Sequence, residues 1–359
     1  MILYSAITYV MLFLSFVIYR RRFTSDSPML LDRREQLLEK NIVIFSLIVL
    51  WVLTAFRGIN IGNDTITYCR YFTNICNNGV NKSYAIEIGF QRFLVFIGKF
   101  STNPHHFLII YSTLLYGLIS FIIFRYSEDK LISLFLTYFF CFGCFCSMLR
   151  QGLAMLICFL GYIQLKNNKK LRFVIFVLLA ACIHKSALLV LLLLFHKYLP
   201  KSNKFLIWVC IIALALSRTS LLLNISDLLG GDYSGYFGSK YAGSGQLGTI
   251  LSLIRAILIF VIVHDKNEDN KDSTYSLSHA NVFYLVFFIC CGFTVNLIAR
   301  ISDYYLMFTI IDMPTLFHEK KEKRQLYMAL FIYIILYNFL VLYFRPDWNH
   351  LYPYEFWKN

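Results

Sequence analysis

Apolar runs, each continuous and bounded by short polar breaks, follow one another along almost the whole chain. They cover residues 2–19, 42–55, 107–124, 131–147, 149–165, 173–195, 205–223, 249–263, 282–297, 301–317 and 326–344. This pattern predicts an all-α polytopic integral membrane protein with roughly 11–13 transmembrane or re-entrant helices. The whole of residues 1–359 is expected to form a single multi-pass membrane domain. Transmembrane barrels are excluded, because their strands alternate apolar and polar positions. Residues 84–100 break the rule, since Glu87, Arg92 and Lys99 recur among aromatics. That segment is predicted to be an amphipathic helix lying on the membrane surface or dipping into it.

The run 173–195 carries His184 and Lys185 at its middle. As one span it would hold both at the bilayer centre, where ionisable groups are costly. Two half-length helices turning at His184 would instead leave the imidazole recessed below one surface. Counting basic residues in the later loops favours the turn, because a single span inverts their balance. Residues 20–22 are three arginines that follow the first run, with no basic segment before it. That run is therefore expected to be an uncleaved anchor with its N-terminus outside.

This orientation places residues 20–40 and 265–279 inside. It places outside a loop with an amphipathic helix at 57–105, a mobile glycine-rich loop at 224–248 and the tail 345–359. The tail's Trp348, Tyr352, Tyr354 and Trp357 suit an interfacial belt or a sugar platform.

Composition sharpens this only in part. The chain is 58% hydrophobic and 15% charged, far below the charge of a soluble domain. Its net charge of +14 would suggest nucleic acid in a soluble protein. Here the basic groups sit in short loops, so the bilayer is the expected partner and nucleic acid is not. By type, the inner segments hold eight Arg and 13 Lys, the outer ones eight Arg and five Lys. Phosphate binding, which favours the planar guanidinium fork, gives a reason for that preference. Cys141, Cys144 and Cys146 lie close together without a nearby His or acid, so no metal site is expected. Cys69 and Cys76 share the polar stretch and would pair if it faced an oxidising compartment.

Candidate chemistry gathers on residues 56–72. Arg57 and Arg70 can grip phosphate oxygens two at a time, or mark a helix end at headgroup level. Gly58 and Gly62 let backbone N–H groups turn toward an anion, and Asp64 can take a proton from a hydroxyl. Glu87, Arg92, Arg150, His184 and Arg300 come from distant parts of the chain, and the proposed topology brings all of them to the outer level. No P-loop or paired-aspartate pattern occurs, so ATP use and nucleotide-sugar metal chemistry are not indicated.

Five of these elements, in order, resemble those of the EpsG family of bacterial polysaccharide polymerases, which are Wzy-like. They are Arg57 with Gly62, Asp64 and Thr65; Glu87 with Gly89 and Phe90; Arg150-Gln151; His184 with Ser186 and Ala187; and Arg300 with Tyr304. The sequence departs from the family pattern at Asn63, where Thr is common, and at Ile183, where an aromatic is usual.

The resemblance implies a glycosyltransferase, compatible with a GT-C-like architecture, that joins oligosaccharide repeat units carried on undecaprenyl pyrophosphate. It acts at the outer face of the bacterial cytoplasmic membrane, with a chain-length regulator as a further partner and no cofactor. Arg57, Arg70, Arg150 and Arg300 are then expected to bind pyrophosphate. Tyr68, Arg92, Gln151 and Tyr304 are expected to meet the sugars. The acceptor hydroxyl needs a base, for which Asp64, Glu87 and His184 are the candidates. An O-antigen ligase and a lipid-linked oligosaccharide transporter or flippase are the rival readings. The transporter is disfavoured because no internal repeat is visible.

Overall fold

The computed structural model describes residues 33–84, 86–219, 246–264, 273–293, 296–319 and 321–358. The expected first span at 2–19 lies outside the described residues, as does almost all of the expected mobile loop at 224–248. Every extended element among the described residues is helical. In chain order these are α1 (Arg33–Ala55), α2 (Thr65–Asn78), α3 (Ile88–Gly98), α4 (Pro104–Tyr126), α5 (Lys130–Ser147), α6 (Leu149–Lys166) and α7 (Lys170–Ile183). A 3₁₀ helix (Lys185–Tyr198) follows, then α8 (Asn203–Leu216), α9 (Gln246–Val263), α10 (Ser273–Cys291), α11 (Asn296–Ala299), α12 (Ser302–Glu319) and α13 (Arg324–Phe344). Five of them, α1, α4, α5, α9 and α13, are long and apolar enough to cross a membrane. The all-α polytopic expectation therefore holds.

The chain divides into two compact units, with divisions falling inside α6 and α12 and with Ser83–Glu87, just before α3, belonging to the second unit. In the first unit, α5 packs against α1, α4 and α13 and is buried on almost every side. Its start is fixed by Asp129, whose carboxylate accepts the Ile132 N–H at 3.1 Å. The start of α4 is fixed by Asn103, which accepts from the His105 N–H ahead of an otherwise apolar stretch. Stacked rings, such as Phe72 on Phe107 and Phe135 on Phe331, fill the spaces between helices.

In the second unit, α10 packs against α8, α9, α11 and the 3₁₀ helix. A helix covered on all sides is apolar all round or carries polar groups satisfied by its neighbours. This corrects the expected inner loop at 265–279: α10 begins at Ser273, and Ser278, His279 and Asn281 are buried within it. Phe260, His264 and Tyr275 surround the His279 ring. The expected inner loop at 20–40 is corrected too, since α1 is already helical at Arg33.

The expected turn at His184 is present. Helix α7 ends at Ile183, His184 is extended (φ −152°, ψ 112°), and the 3₁₀ helix starts at Lys185. The two pieces pack against each other, and His196 lies within electrostatic reach of Lys170, so the chain doubles back as a hairpin. The return arm is 3₁₀ for its whole 14 residues, which is long for that conformation. Its buried side chains, Ala187, Val190, Leu193 and His196, recur every third residue. Positions three apart eclipse in a 3₁₀ helix, so these four make one straight seam.

Candidate functional site

In the first unit, the end where α1 stops and α2, α4 and α6 start collects the polar residues. Residues 56–64 cross this end and are tied down by the C-terminal tail. The Gly58 N–H donates to Glu355 O at 2.7 Å, the Gly62 N–H to His350 O at 2.9 Å, and the Trp357 N–H to Phe56 O at 2.8 Å. Asn63 donates from its side chain to Trp348 O at 2.7 Å, so the departure from Thr at this position supplies a tail contact. His105, at the start of α4, lies flat on the Trp357 ring at 4.8 Å. Gly62 takes φ +86°, and a Cβ there would sit 2.2 Å from Cys146 O, so only glycine fits.

Arg57 is fully buried at this end. One terminal nitrogen donates to Thr54 O, Nε donates to Thr65 Oγ1 at 3.3 Å, and Nη2 has no partner among the described residues. Thr65 Oγ1 in turn lies within hydrogen-bond reach of Ile61 O and Cys146 O. No carboxylate among the described residues bonds Arg57. The groups that feel its charge are the thiols of Cys69 and Cys146 and the phenols of Tyr111, Tyr116 and Tyr354.

Arg150, in the first turn of α6, donates from Nε to the Tyr68 hydroxyl at 3.0 Å, with its guanidinium 5.9 Å from the Tyr68 ring centre. Tyr68 is buried on α2, and burial pushes its phenol above the ordinary value against the pull of Arg150. Asp64 occupies the N-cap position of α2 and lies within electrostatic reach of Tyr68. Gln151 is buried beside Arg150. Arg70 and Arg92, by contrast, stand exposed on α2 and α3.

Two expectations about this stretch need correction. The expected outer loop at 57–105 holds a helix besides the amphipathic one, because residues 65–78 form α2. Cys69 and Cys76 are free thiols. Seven residues apart on one helix, they are separated by about 10 Å along its axis, beyond disulfide reach. Burial pushes the Cys69 thiol up to about 11, so it stays protonated.

In the second unit, the hairpin turn holds a separate cluster. His184 Nδ1 lies 3.1 Å from Glu87 Oε1, and the Lys185 N–H reaches the same oxygen at 3.1 Å. Glu87 therefore also stands at the N-terminus of the 3₁₀ helix, where an anion is favoured. Next along, Ser186 Oγ and the buried Tyr304 hydroxyl are 3.2 Å apart, and Tyr305 donates to Leu189 O at 2.7 Å. Two consecutive tyrosines of α12 thus hold the start of the 3₁₀ helix. Arg300 precedes α12 and, with Arg255, lies within electrostatic reach of Asp303.

The structure thus brings Arg57, Asp64, Tyr68, Arg150 and Gln151 to one end of the first unit. It gathers Glu87, His184 and Tyr304 in the second. Sequence reading missed Thr65 as the partner of Arg57, Ser186 as that of Tyr304, and Arg255 with Asp303. Thr65 and Ser186 did stand in the same motifs as Arg57 and His184, which was the one hint of these.

All-helical, with five helices able to cross a bilayer and polar clusters built at helix ends, the chain is a multi-pass membrane protein. Compared with known families, it matches the EpsG family over residues 40–356. It belongs to that family, whose members are Wzy-like polysaccharide polymerases. Searches of curated proteins and of solved structures return no match.

Proposed function

We propose that this chain is a glycosyltransferase that polymerises oligosaccharide repeat units carried on undecaprenyl pyrophosphate, at the outer face of the bacterial cytoplasmic membrane. In this reading the growing chain leaves its lipid pyrophosphate and is transferred to a hydroxyl of a fresh lipid-linked unit. The donor carbon gains oxocarbenium character and the diphosphate departs with growing negative charge. Fixed cations placed where that charge develops stabilise the transition state more than the ground state. Arg150 and Arg300 take this role, Arg70 reaches the diphosphate from the rim, and Arg57 acts through its charge. Tyr68, Arg92, Gln151 and Tyr304 meet the sugars, and the base comes from Asp64, Glu87 and His184. The bilayer and a chain-length regulator complete the set of partners.

Arg57 carries the proposal. A guanidinium that is fully buried, bonds no carboxylate among the described residues and keeps one nitrogen unpartnered costs several kcal/mol. A diphosphate bound near it supplies the missing opposite charge.

The test uses membranes of cells carrying Arg150→Ala or Arg300→Ala. Each variant is expected to insert normally, accumulate single repeat units and lose polymer by ~100-fold or more, the usual effect of removing one transition-state donor. Arg150→Lys is expected to be impaired as well, because a point charge does not replace a fork. Wild-type chain lengths from all three variants would overturn the reading.

A further inference from the structure

We infer that Glu87 and His184 divide the work of deprotonation between them. His184 Nε2 is the base that takes the proton of the acceptor hydroxyl, and Glu87 is a positioning residue that never touches it. The inference rests on the polymerase reading above and assigns what that reading leaves among three groups.

Glu87 Oε1 accepts the Lys185 N–H, so this oxygen faces donors. His184 Nδ1 approaches the same oxygen at 3.1 Å and must therefore carry its proton there. In a neutral imidazole that leaves the lone pair on Nε2, which makes no hydrogen bond among the described residues. The tautomer is thus fixed by a carboxylate that is itself fixed by the backbone at the start of the 3₁₀ helix. Exposure agrees with the division, since the His184 side chain is 15% exposed and that of Glu87 9%. His184 in turn cannot swing away easily, because its neighbours Ser186 and Leu189 are held by Tyr304 and Tyr305.

The step balances without any further reagent. Nε2 takes the proton of the acceptor hydroxyl, and the freed oxygen pair forms the new bond to the anomeric carbon. The bond from that carbon to the pyrophosphate oxygen breaks, and its electron pair leaves on the lipid diphosphate. The imidazolium then returns its proton to the departing diphosphate or to water.

The experiment uses the full-length protein in proteoliposomes, supplied with the lipid-linked repeat units that accumulate in cells lacking this gene. His184→Ala is expected to lower polymer formation by ~100- to 10,000-fold, the usual range for a lost acid–base group. Added imidazole should restore part of it. Glu87→Gln keeps an oxygen that accepts both donors, so it should retain about a tenth to a hundredth of the rate, well above Glu87→Ala.

If Glu87→Gln is as inactive as His184→Ala and imidazole restores neither, Glu87 is the base and the inference fails. If His184→Ala polymerises at the wild-type rate, the inference fails while the polymerase reading stands. If the wild-type protein leaves the lipid-linked units unchanged, the polymerase reading itself fails.

Discussion

Arg57 and His184 show how differently two buried or half-buried polar groups can be supported. His184 has a carboxylate 3.1 Å from Nδ1 and keeps some exposed surface, an arrangement that orients a ring. Arg57 has two oxygens, neither from an acid, and no exposed surface. If its purpose were only to hold residues 54–65 together, a neutral group would do so at lower cost, because replacing a buried charge by apolar volume is often neutral or stabilising. Arg57→Met is therefore expected to yield folded, inserted protein whose thermal midpoint in detergent lies within a few degrees of wild type. The same variant should accumulate single repeat units. A variant that folds poorly would show that the guanidinium serves the fold, and one that polymerises normally would show that its charge serves nothing in the reaction.

Among the elements, the return arm of the hairpin is the least ordinary. Its seam of Ala187, Val190, Leu193 and His196 points one way, while Leu188 and Phe195 are exposed. Leu193→Ala should open a cavity in the second unit and cost about 2 kcal/mol or more. Phe195→Ala should stay within about 0.5 kcal/mol, as exposed positions do. Unfolding in detergent measures both, and equal costs would contradict the period of three.

The turn itself was legible, because two charged residues inside an apolar run admit few placements. The 3₁₀ winding was not, since Lys185–Tyr198 is apolar nearly throughout and any period can be drawn through it. Helix α2 was hidden for the opposite reason: half of its positions are polar, and Tyr68, Phe72 and Ile75 find their partners only in tertiary contact. The α-helices at 104–126, 130–147 and 324–344 were readable to within a few residues, because hydrocarbon leaves the backbone no other way to satisfy itself. The pairing of residues 56–64 with the tail depends, Asn63 apart, on main-chain groups, and these leave no mark on side-chain identity.

At the scale of the whole molecule, the question is which side of the membrane the clusters face. In the first unit, Arg57 and Arg150 lie at one end, while Arg125 and Lys130 flank the connection between α4 and α5 at the other. In the second unit, His184 lies at the hairpin tip, whereas Lys169, Lys170, Arg172, Lys197, Lys201 and Lys204 crowd the hairpin's open end and its exit. Basic residues in short loops mark the cytoplasmic side. By that rule each unit, considered alone, is expected to turn its candidate residues outward.

A cysteine introduced at each of four exposed positions tests this in intact cells, on a background in which the exposed Cys182 and the half-buried Cys76 and Cys210 have been replaced. Lys82→Cys and Lys185→Cys are expected to react with a membrane-impermeant maleimide added outside. Glu128→Cys and Lys169→Cys should react only once the membrane is opened. Labelling of Lys169→Cys from outside, with Lys185→Cys silent, would turn His184 toward the cytoplasm. An acceptor carried on the outer leaflet could then never reach its base.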